Sequence, residues 1–522
     1  MPPRRRFAKF VLLCGSLGSM LLVGEGVLRL HGGYRLFAGR LTPRSSAPDT
    51  DPARVLGMAP QVVEPFVARW RQARPDLDVG WLRTSPPPLE PPPPLGQPLR
   101  PQQDWLLHYY VLNAALLRAT WVKGQGLPIL AGLTLPDPFT VFEPPEGKPV
   151  PRYRYPASRT LPTGLVTNRY GFRGRDMAPQ KAPGTVRIAF VGASTTVEAH
   201  SVPHSAPELI EHWLGLWAAQ KRRSGPFAVQ FEVLNGAREA IQSHDIRAIV
   251  TDELLPLDID YLVYYEGANQ FQPATLAKHV QVSGAYRLAE PPPGVVGAYD
   301  DTATADSTWL DGLAEHTALG RYLRSALRRG AARGEPAKPE QQITLPAELL
   351  RGPLPLERTA GLLELAAIGG DLTAIRAAVE ARGAKLCVST FWWLAHEGLE
   401  LDPVWGHNVL VHLNRAYWPF RYATVRTLAD LQNRFFAAWA AANGVDLLDL
   451  DAELPHDPAL AIDAIHHTDL GVRLKAWVWF AQLVTCLERD LASGRLPAVP
   501  QPGVVPELGA NHPLSHAELD GR

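Results

Sequence analysis

From about residue 185 the chain alternates short apolar runs with segments in which apolar residues recur every three or four positions. Arg187 to Val191, Ala228 to Leu234, Tyr261 to Tyr265, Lys385 to Phe391 and Val445 to Leu450 have the length and composition of buried strands. Between them, Pro207 to Lys221, Ser243 to Leu255, Leu372 to Arg382 and Thr424 to Asn443 carry helical periodicity, and a last helix begins near Leu470. Short apolar runs separated by amphipathic helices predict βαβ units, hence a parallel sheet with helices on both faces. In such sheets ligands bind beyond the carboxyl ends of the strands. A long insertion, residues 272–360, interrupts the pattern after the third strand and holds a basic helix near Gly320 to Gly334.

The first 160 residues read differently. Arg4, Arg5, Arg6 and Lys9 precede an apolar run from Phe10 to Leu28, broken only by small residues and Glu25. The run has about the 20 residues that a bilayer span needs. The basic cluster on its N-terminal side predicts that this end stays in the cytoplasm. No Ala-x-Ala site follows, so an uncleaved signal anchor is expected rather than a removed signal peptide. Pro60 to Arg74 fits a short helix, and so does the stretch 104–122, which His108, Asn113 and Arg118 make amphipathic. Two proline runs between Ser85 and Pro101 favour extended backbone and exclude a central strand. Residues 29–160 are therefore expected to be a proline-rich linker and accessory region, 165–490 the α/β domain, and 491–522 a proline-rich tail.

Composition narrows the classes. The chain has 522 residues with 52 Lys+Arg against 52 Asp+Glu, so the formal charge is zero and no nucleic-acid-binding stripe stands out beyond the first residues. The three cysteines, Cys14, Cys387 and Cys486, are too scattered for a disulfide framework. Leu13, not a small residue, precedes Cys14, which argues against lipidation there.

The candidate chemistry sits at strand ends and helix starts. Ser194 follows the first strand in Val-Gly-Ala-Ser-Thr-Thr, Asn269 follows the third in Glu-Gly-Ala-Asn-Gln, and Asp463 and His466 stand just before the last helix. A serine hydroxyl is a weak nucleophile without a neighbouring base. His466 can be that base, and Asp463, three residues earlier, can orient its ring. The tetrahedral intermediate of acyl transfer needs fixed donors. The Ser194 N–H and the Asn269 side-chain amide supply two, and a third is expected from the loop after the second strand. Taken singly, each of these is a common cap or turn residue. Their order along the chain points to serine-based acyl transfer. Asp463 and His466 have no third ligand at fitting spacing, so no metal site is expected. Trp392, Trp393 and Trp405, with His396 and His407, fall in the loop after the fourth strand. They form either a sugar-binding platform or a packed aromatic cap.

With these residues the chain resembles the SGNH, or GDSL-like, hydrolases of the membrane-anchored bacterial type. Gly192-Ala193-Ser194 stands where the family has Gly-Asp-Ser, Gly267-Ala268-Asn269 matches Gly-x-Asn, and Asp463-Ala464-Ile465-His466 matches Asp-x-x-His. Asn168-Arg169-Tyr170-Gly171-Phe172-Arg173-Gly174 looks like the lead-in of anchored members. The resemblance implies a flavodoxin-like three-layer α/β/α fold and a serine esterase working without metal or organic cofactor. Its triad would be Ser194, Asp463 and His466, and its oxyanion hole Ser194, Ala240 and Asn269, with Gly236 as the fallback donor. Two departures stand out: Ala193 replaces an acidic residue, and Ala240 replaces the family's oxyanion glycine. The expected protein is a single-pass bacterial inner-membrane enzyme with a periplasmic catalytic domain. It acts on an acylated small molecule or glycan, as a glycan O-deacetylase in the narrower form. An O-acyltransferase with the same triad and a non-catalytic binding protein of the same fold are the alternatives. The oligomeric state is not legible.

Overall fold

The computed structural model describes, with short gaps, residues 3–31, 51–89, 154–271, 354–395 and 422–506, with shorter pieces between. Five strands, β1 (Thr185–Gly192), β2 (Gln230–Asn235), β3 (Tyr261–Tyr265), β6 (Lys385–Ser389) and β7 (Asp446–Leu448), form one sheet in the order β2-β1-β3-β6-β7, every pair parallel. Two further strands, β4 (Gln281–Ser283) and β5 (Gln342–Thr344), pair antiparallel within the insertion. β1 and β3 are buried along their whole length, as strands of a doubly covered parallel sheet are, and the one charged residue of β1, Arg187, pairs with Glu232. The register pairs Phe190 with Asn235 and Gly192 with Tyr265. The carboxyl ends of β1 and β3 are therefore level, β2 ends opposite Phe190, and the loops that follow the three strands open on one edge.

Among the described residues, the domain has the helices α4 (Ser194–Val197), α5 (Ala206–Ser224), α6 (Ser243–Ile249), α7 (Leu356–Thr359), α8 (Leu365–Ala381), α9 (Tyr422–Asn443), α10 (Leu450–Glu453) and α11 (Asp469–Ala492). α5 and α11 pack together on one face of the sheet, and α6, α8 and α9 on the other. The helix starts are set locally. Ser205 and Glu208 form a capping box at α5, Gln242 and Asp245 do the same at α6, and Thr468 caps α11 through the Gly471 N–H.

Two boundaries differ from the sequence pattern for identifiable reasons. The helix expected to run from Ser243 to Leu255 is α-helical only to Ile249, where it widens into a π turn over Val250–Leu254. β6 stops at Ser389 rather than Phe391, because the Phe391 N–H and carbonyl bond the Asn433 side chain, at 2.7 and 2.8 Å, instead of a neighbouring strand.

Part of the expected accessory region belongs to the domain core. α2 (Pro52–Gly57), α3 (Pro60–Ala73) and the turn Val79–Arg83 bury Val55, Leu56, Phe66, Trp70 and Leu82 in the same cluster as the sheet. Arg473 of α11 donates to the Leu82 and Thr84 carbonyls, and Arg74 reaches the Ala481 carbonyl. Among the described residues, α11 is the helix long and apolar enough to cross a membrane, but 89% of the qualifying window is buried, so it serves as a core helix. The N-terminal run forms α1 (Pro3–His31). The helix expected at 104–122, and the one near 320–334 beyond residue 323, lie outside the described residues.

Candidate active site

β1 ends at Gly192, where a Cβ would lie 2.1 Å from both Thr196 Oγ1 and the Tyr265 carbonyl oxygen. Only glycine lets the turn that carries Ser194 close against β3 at that distance. The four-residue helix α4 then opens with Ser194, partly exposed, and closes at Glu198 in the left-handed conformation, φ 50° and ψ 46°. The Ser194 N–H, at the first helical position, has no intrahelical acceptor by geometry. Ser194 Oγ lies 2.8 Å from His466 Nε2, across 272 positions of sequence. His466 is buried, just ahead of the Thr468 cap of α11, which also anchors to the Ala459 carbonyl at 3.0 Å.

Asn269 reaches the same edge from β3. Its N–H donates to Glu266 Oε1 at 2.7 Å, and its Nδ2 donates to the Ile241 carbonyl at 2.9 Å. Gln242 returns a bond from its own Nε2 to the Asn269 carbonyl at 3.3 Å. The Gly-x-Asn turn is thus tied to the end of the loop after β2. One Nδ2 hydrogen is used by Ile241, and an amide carries two. Gly267 is required here because a Cβ would sit 2.8 Å from Gln432 Oε1, whose amide nitrogen donates to the Gly267 carbonyl at 2.7 Å.

Gly236 does not serve as the fallback donor: its N–H is committed to the Phe190 carbonyl at 2.8 Å, continuing the sheet ladder. Asp463 and Ala240, the expected orienting acid and third oxyanion donor, lie outside the described residues, as do Trp405, His396 and His407. Trp392 and Trp393 are not a platform. Both are fully buried, Trp392 stacked on His456 at 5.7 Å and packed on His467 at 4.6 Å, Trp393 against Phe271 and Phe391. The packed aromatic cap is what this pair forms.

The structure brings further charged groups to the site. The Glu266 carboxyl accepts the N–H groups of Gly267, Ala268 and Asn269, yet burial pushes its pKa up to about 7, close enough to His466 for the two to interact. Beneath α4, the buried Lys475 of α11 pairs with the buried Glu198 carboxylate and donates to the Thr195 carbonyl at 2.6 Å. Burial pulls the Lys475 pKa down, with Glu198 opposing. Its Nζ lies 5.4 Å from the Tyr265 ring centre and 5.1 Å from that of Trp479. Asp469, in the first turn of α11, accepts from Ser201 Oγ at 2.9 Å, and burial raises its pKa to about 6. A signal for Lys475 was available: it falls on the helical stripe of Val472, Ala476 and Trp479, where a charge needs a buried partner.

No protein-family model matches the sequence, nor does any curated protein. Among solved structures, an acetylxylan esterase from Geobacillus stearothermophilus is 13% identical at a TM-score of 0.30, with 57% of this chain and 94% of that one covered. A GDSL-like lipase from Bacteroides thetaiotaomicron is 10% identical at 0.26, covering 58% and 88%. The acetyl xylan esterase AlAXEase is 12% identical at 0.29, covering 57% and 98%. These are distant likenesses, and the chemistry of the site rests on its own geometry.

Proposed function

We propose that the chain is a membrane-anchored serine acyl hydrolase of the SGNH type, acting outside the cytoplasm on an ester, with O-acylated glycans as its narrower substrate class. The observation that carries this reading is the 2.8 Å hydrogen bond between Ser194 Oγ and His466 Nε2 at the open edge of a parallel sheet. In the proposed reaction Ser194 Oγ attacks the ester carbonyl carbon while His466 Nε2 takes the hydroxyl proton. The developing oxyanion accepts from the Ser194 N–H, the second Asn269 Nδ2 hydrogen and the Ala240 N–H. His466 then protonates the departing alcohol. A water, deprotonated by the same nitrogen, releases the acid and restores Ser194. Asp463 is the proposed orienter of the His466 ring.

Anchoring is supported by α1. Met20, Leu21, Leu22 and Val23 are all exposed, and four successive positions at 100° each go most of the way round a helix. A helix apolar on every side suits lipid rather than water. Past this stretch the surroundings turn polar. Glu25 pairs with Arg29 and accepts the N–H groups of Ala318 and Leu319, and Arg29 donates to the His316 carbonyl at 2.7 Å.

The test is labelling of the detergent-purified full chain by a fluorophosphonate serine probe, beside Ser194→Ala. Labelling of the parent alone is expected, with the variant keeping its fold because its partly exposed side chain contributes little packing. Equal labelling of the two, or ester turnover by Ser194→Ala comparable to the parent's, refutes the assignment.

A further inference from the structure

The lead-in segment Asn168–Gly174 has no part in the reaction above, yet its geometry delivers one side chain to the nucleophile turn. Asn168 Oδ1 accepts the N–H groups of Tyr170 and Phe172 at 2.9 and 3.1 Å, and the Asn168 N–H returns to the Phe172 carbonyl at 2.8 Å. Gly171 closes the turn at φ 72°, where a Cβ would lie 2.5 Å from the Tyr155 carbonyl oxygen. Phe172 is buried at the centre of this knot. Arg173 leaves it bridged antiparallel to Asn235, the last residue of β2.

A four-residue helix has too few internal bonds to satisfy its own carbonyls. In α4 the Ala193 and Ser194 carbonyls are taken by N–H groups of the turn. Those of Thr195, Thr196 and Val197 are taken by side chains from distant segments, and that of Glu198 by both the Ser201 N–H, at 2.8 Å, and such a side chain. Lys475 holds the Thr195 carbonyl, and Asn235 Nδ2 holds that of Thr196 at 3.0 Å. Arg173 Nη1 holds those of Val197 and Glu198, at 3.0 and 2.5 Å. Arg173 Nη2 continues to the Ser201 carbonyl at 2.7 Å and the Pro203 carbonyl at 3.3 Å. Its Nε donates to Glu208 Oε2, the carboxylate oxygen that also caps α5 through Ser205. The side chain is buried. One planar guanidinium thus takes four carbonyls and a carboxylate, a set of contacts that a lysine point charge cannot reproduce.

We propose that Arg173 is a positioning residue for Ser194. With Asn235 it clamps the C-terminal end of the nucleophile turn to the start of the loop after β2, so that nucleophile and oxyanion donors move as one body. Asn235 also bonds Ser205 Oγ at 3.1 Å, which joins the clamp to α5. The proposal rests on Ser194 being the nucleophile, since a sub-ångström displacement of that oxygen matters only if it reacts.

The test compares the full chain in detergent with Arg173→Met, Arg173→Lys and Asn235→Ala. The readouts are fluorophosphonate labelling rate, kcat and KM on a short-chain ester, and amide hydrogen exchange of the 193–205 peptide. Arg173→Met is expected to slow labelling and lower kcat by tenfold or more with KM within about twofold, and to raise exchange in 193–205 but not in α11. Arg173→Lys is expected to recover part of the loss. Labelling and kcat within twofold of the parent in both Arg173→Met and Asn235→Ala overturn the proposal. So does a loss that falls on KM alone. If Arg173→Met does not fold, Asn235→Ala decides, since it removes one contact to the turn and leaves the arginine in place. If the parent itself does not label, the acyl-transfer reading has failed. The clamp is then judged by exchange alone: faster exchange of 193–205 in Arg173→Lys supports it, and unchanged exchange overturns it.

Discussion

Replacing Glu266 with Gln isolates the energetic effect of a buried carboxyl beside the candidate catalytic histidine. Burial raises the Glu266 pKa from the ordinary 4.5 to about 7. Each pKa unit corresponds to 1.36 kcal/mol, so ionising Glu266 in the folded chain costs about 3 kcal/mol more than in the unfolded one. The sign follows from proton binding. Between pH 4.5 and about 7 the folded state holds a proton that the unfolded state has lost. Stability from this group is therefore full below about pH 4.5 and is lost as pH rises through about 7. Glu266→Gln cannot ionise, so its stability relative to the parent is expected to rise by about 3 kcal/mol from pH 4.5 to pH 8. Any fixed loss of hydrogen bonds to Gly267, Ala268 and Asn269 is the same at both pH values and cancels in the difference. The titrating groups that do not interact with Glu266 cancel as well, and its interaction with His466 is part of the quantity measured. Urea unfolding of both at the two pH values measures this double difference. A change smaller than about 1 kcal/mol would refute the argument that a dry carboxyl sits under the Gly-x-Asn turn.

The other expectations concern the Ser194 turn and the proposed anchor. Gly192→Ala puts a Cβ 2.1 Å from a backbone carbonyl oxygen and a hydroxyl. It should destabilise by about 3 kcal/mol or more and abolish probe labelling; a variant that melts and labels like the parent contradicts the close approach. Lys475→Met leaves the buried Glu198 carboxylate without its charged partner and should cost about 3–5 kcal/mol. The double variant Lys475→Met/Glu198→Gln should lose less than the single one, and strict additivity in thermal melts would show that the pair is not coupled. A reporter fused after residue 60 should be active outside the cytoplasm, and cytoplasmic activity would overturn the topology.

How far the site could be read from the sequence depends on the distance over which each contact is made. Ser194, Asn269 and His466 can be picked out as candidates because strand ends and helix starts are local features, and an ordered parallel sheet brings successive strand ends to one edge. Gly192 and Gly267 stood in the same motifs, but the contacts that require glycine there come from Thr196, Tyr265, Phe391 and Gln432. The same distance hid the role of Arg173, whose partners lie on three segments. Trp392 and Trp393 show a choice that the sequence leaves open. A pair of tryptophans in a loop at the ligand edge suits a platform or a cap equally well, and burial alone decides between them.

The sequence by itself determined the alternation of strands and helices, the parallel sheet that follows from it, the edge at which the candidate residues collect, and the apolar run near the N-terminus. These depend on periodicity and on turn residues, which act over a few positions. The tertiary structure alone decided that residues 52–83 belong to the core and that the Gly236 N–H is already in use. It also decided that Lys475, Asn235 and Arg173 hold the carbonyls of a helical turn too short to satisfy them itself. Desolvation, van der Waals fit and hydrogen bonding act between atoms that the sequence separates by tens to hundreds of residues, and only folding brings those atoms within reach.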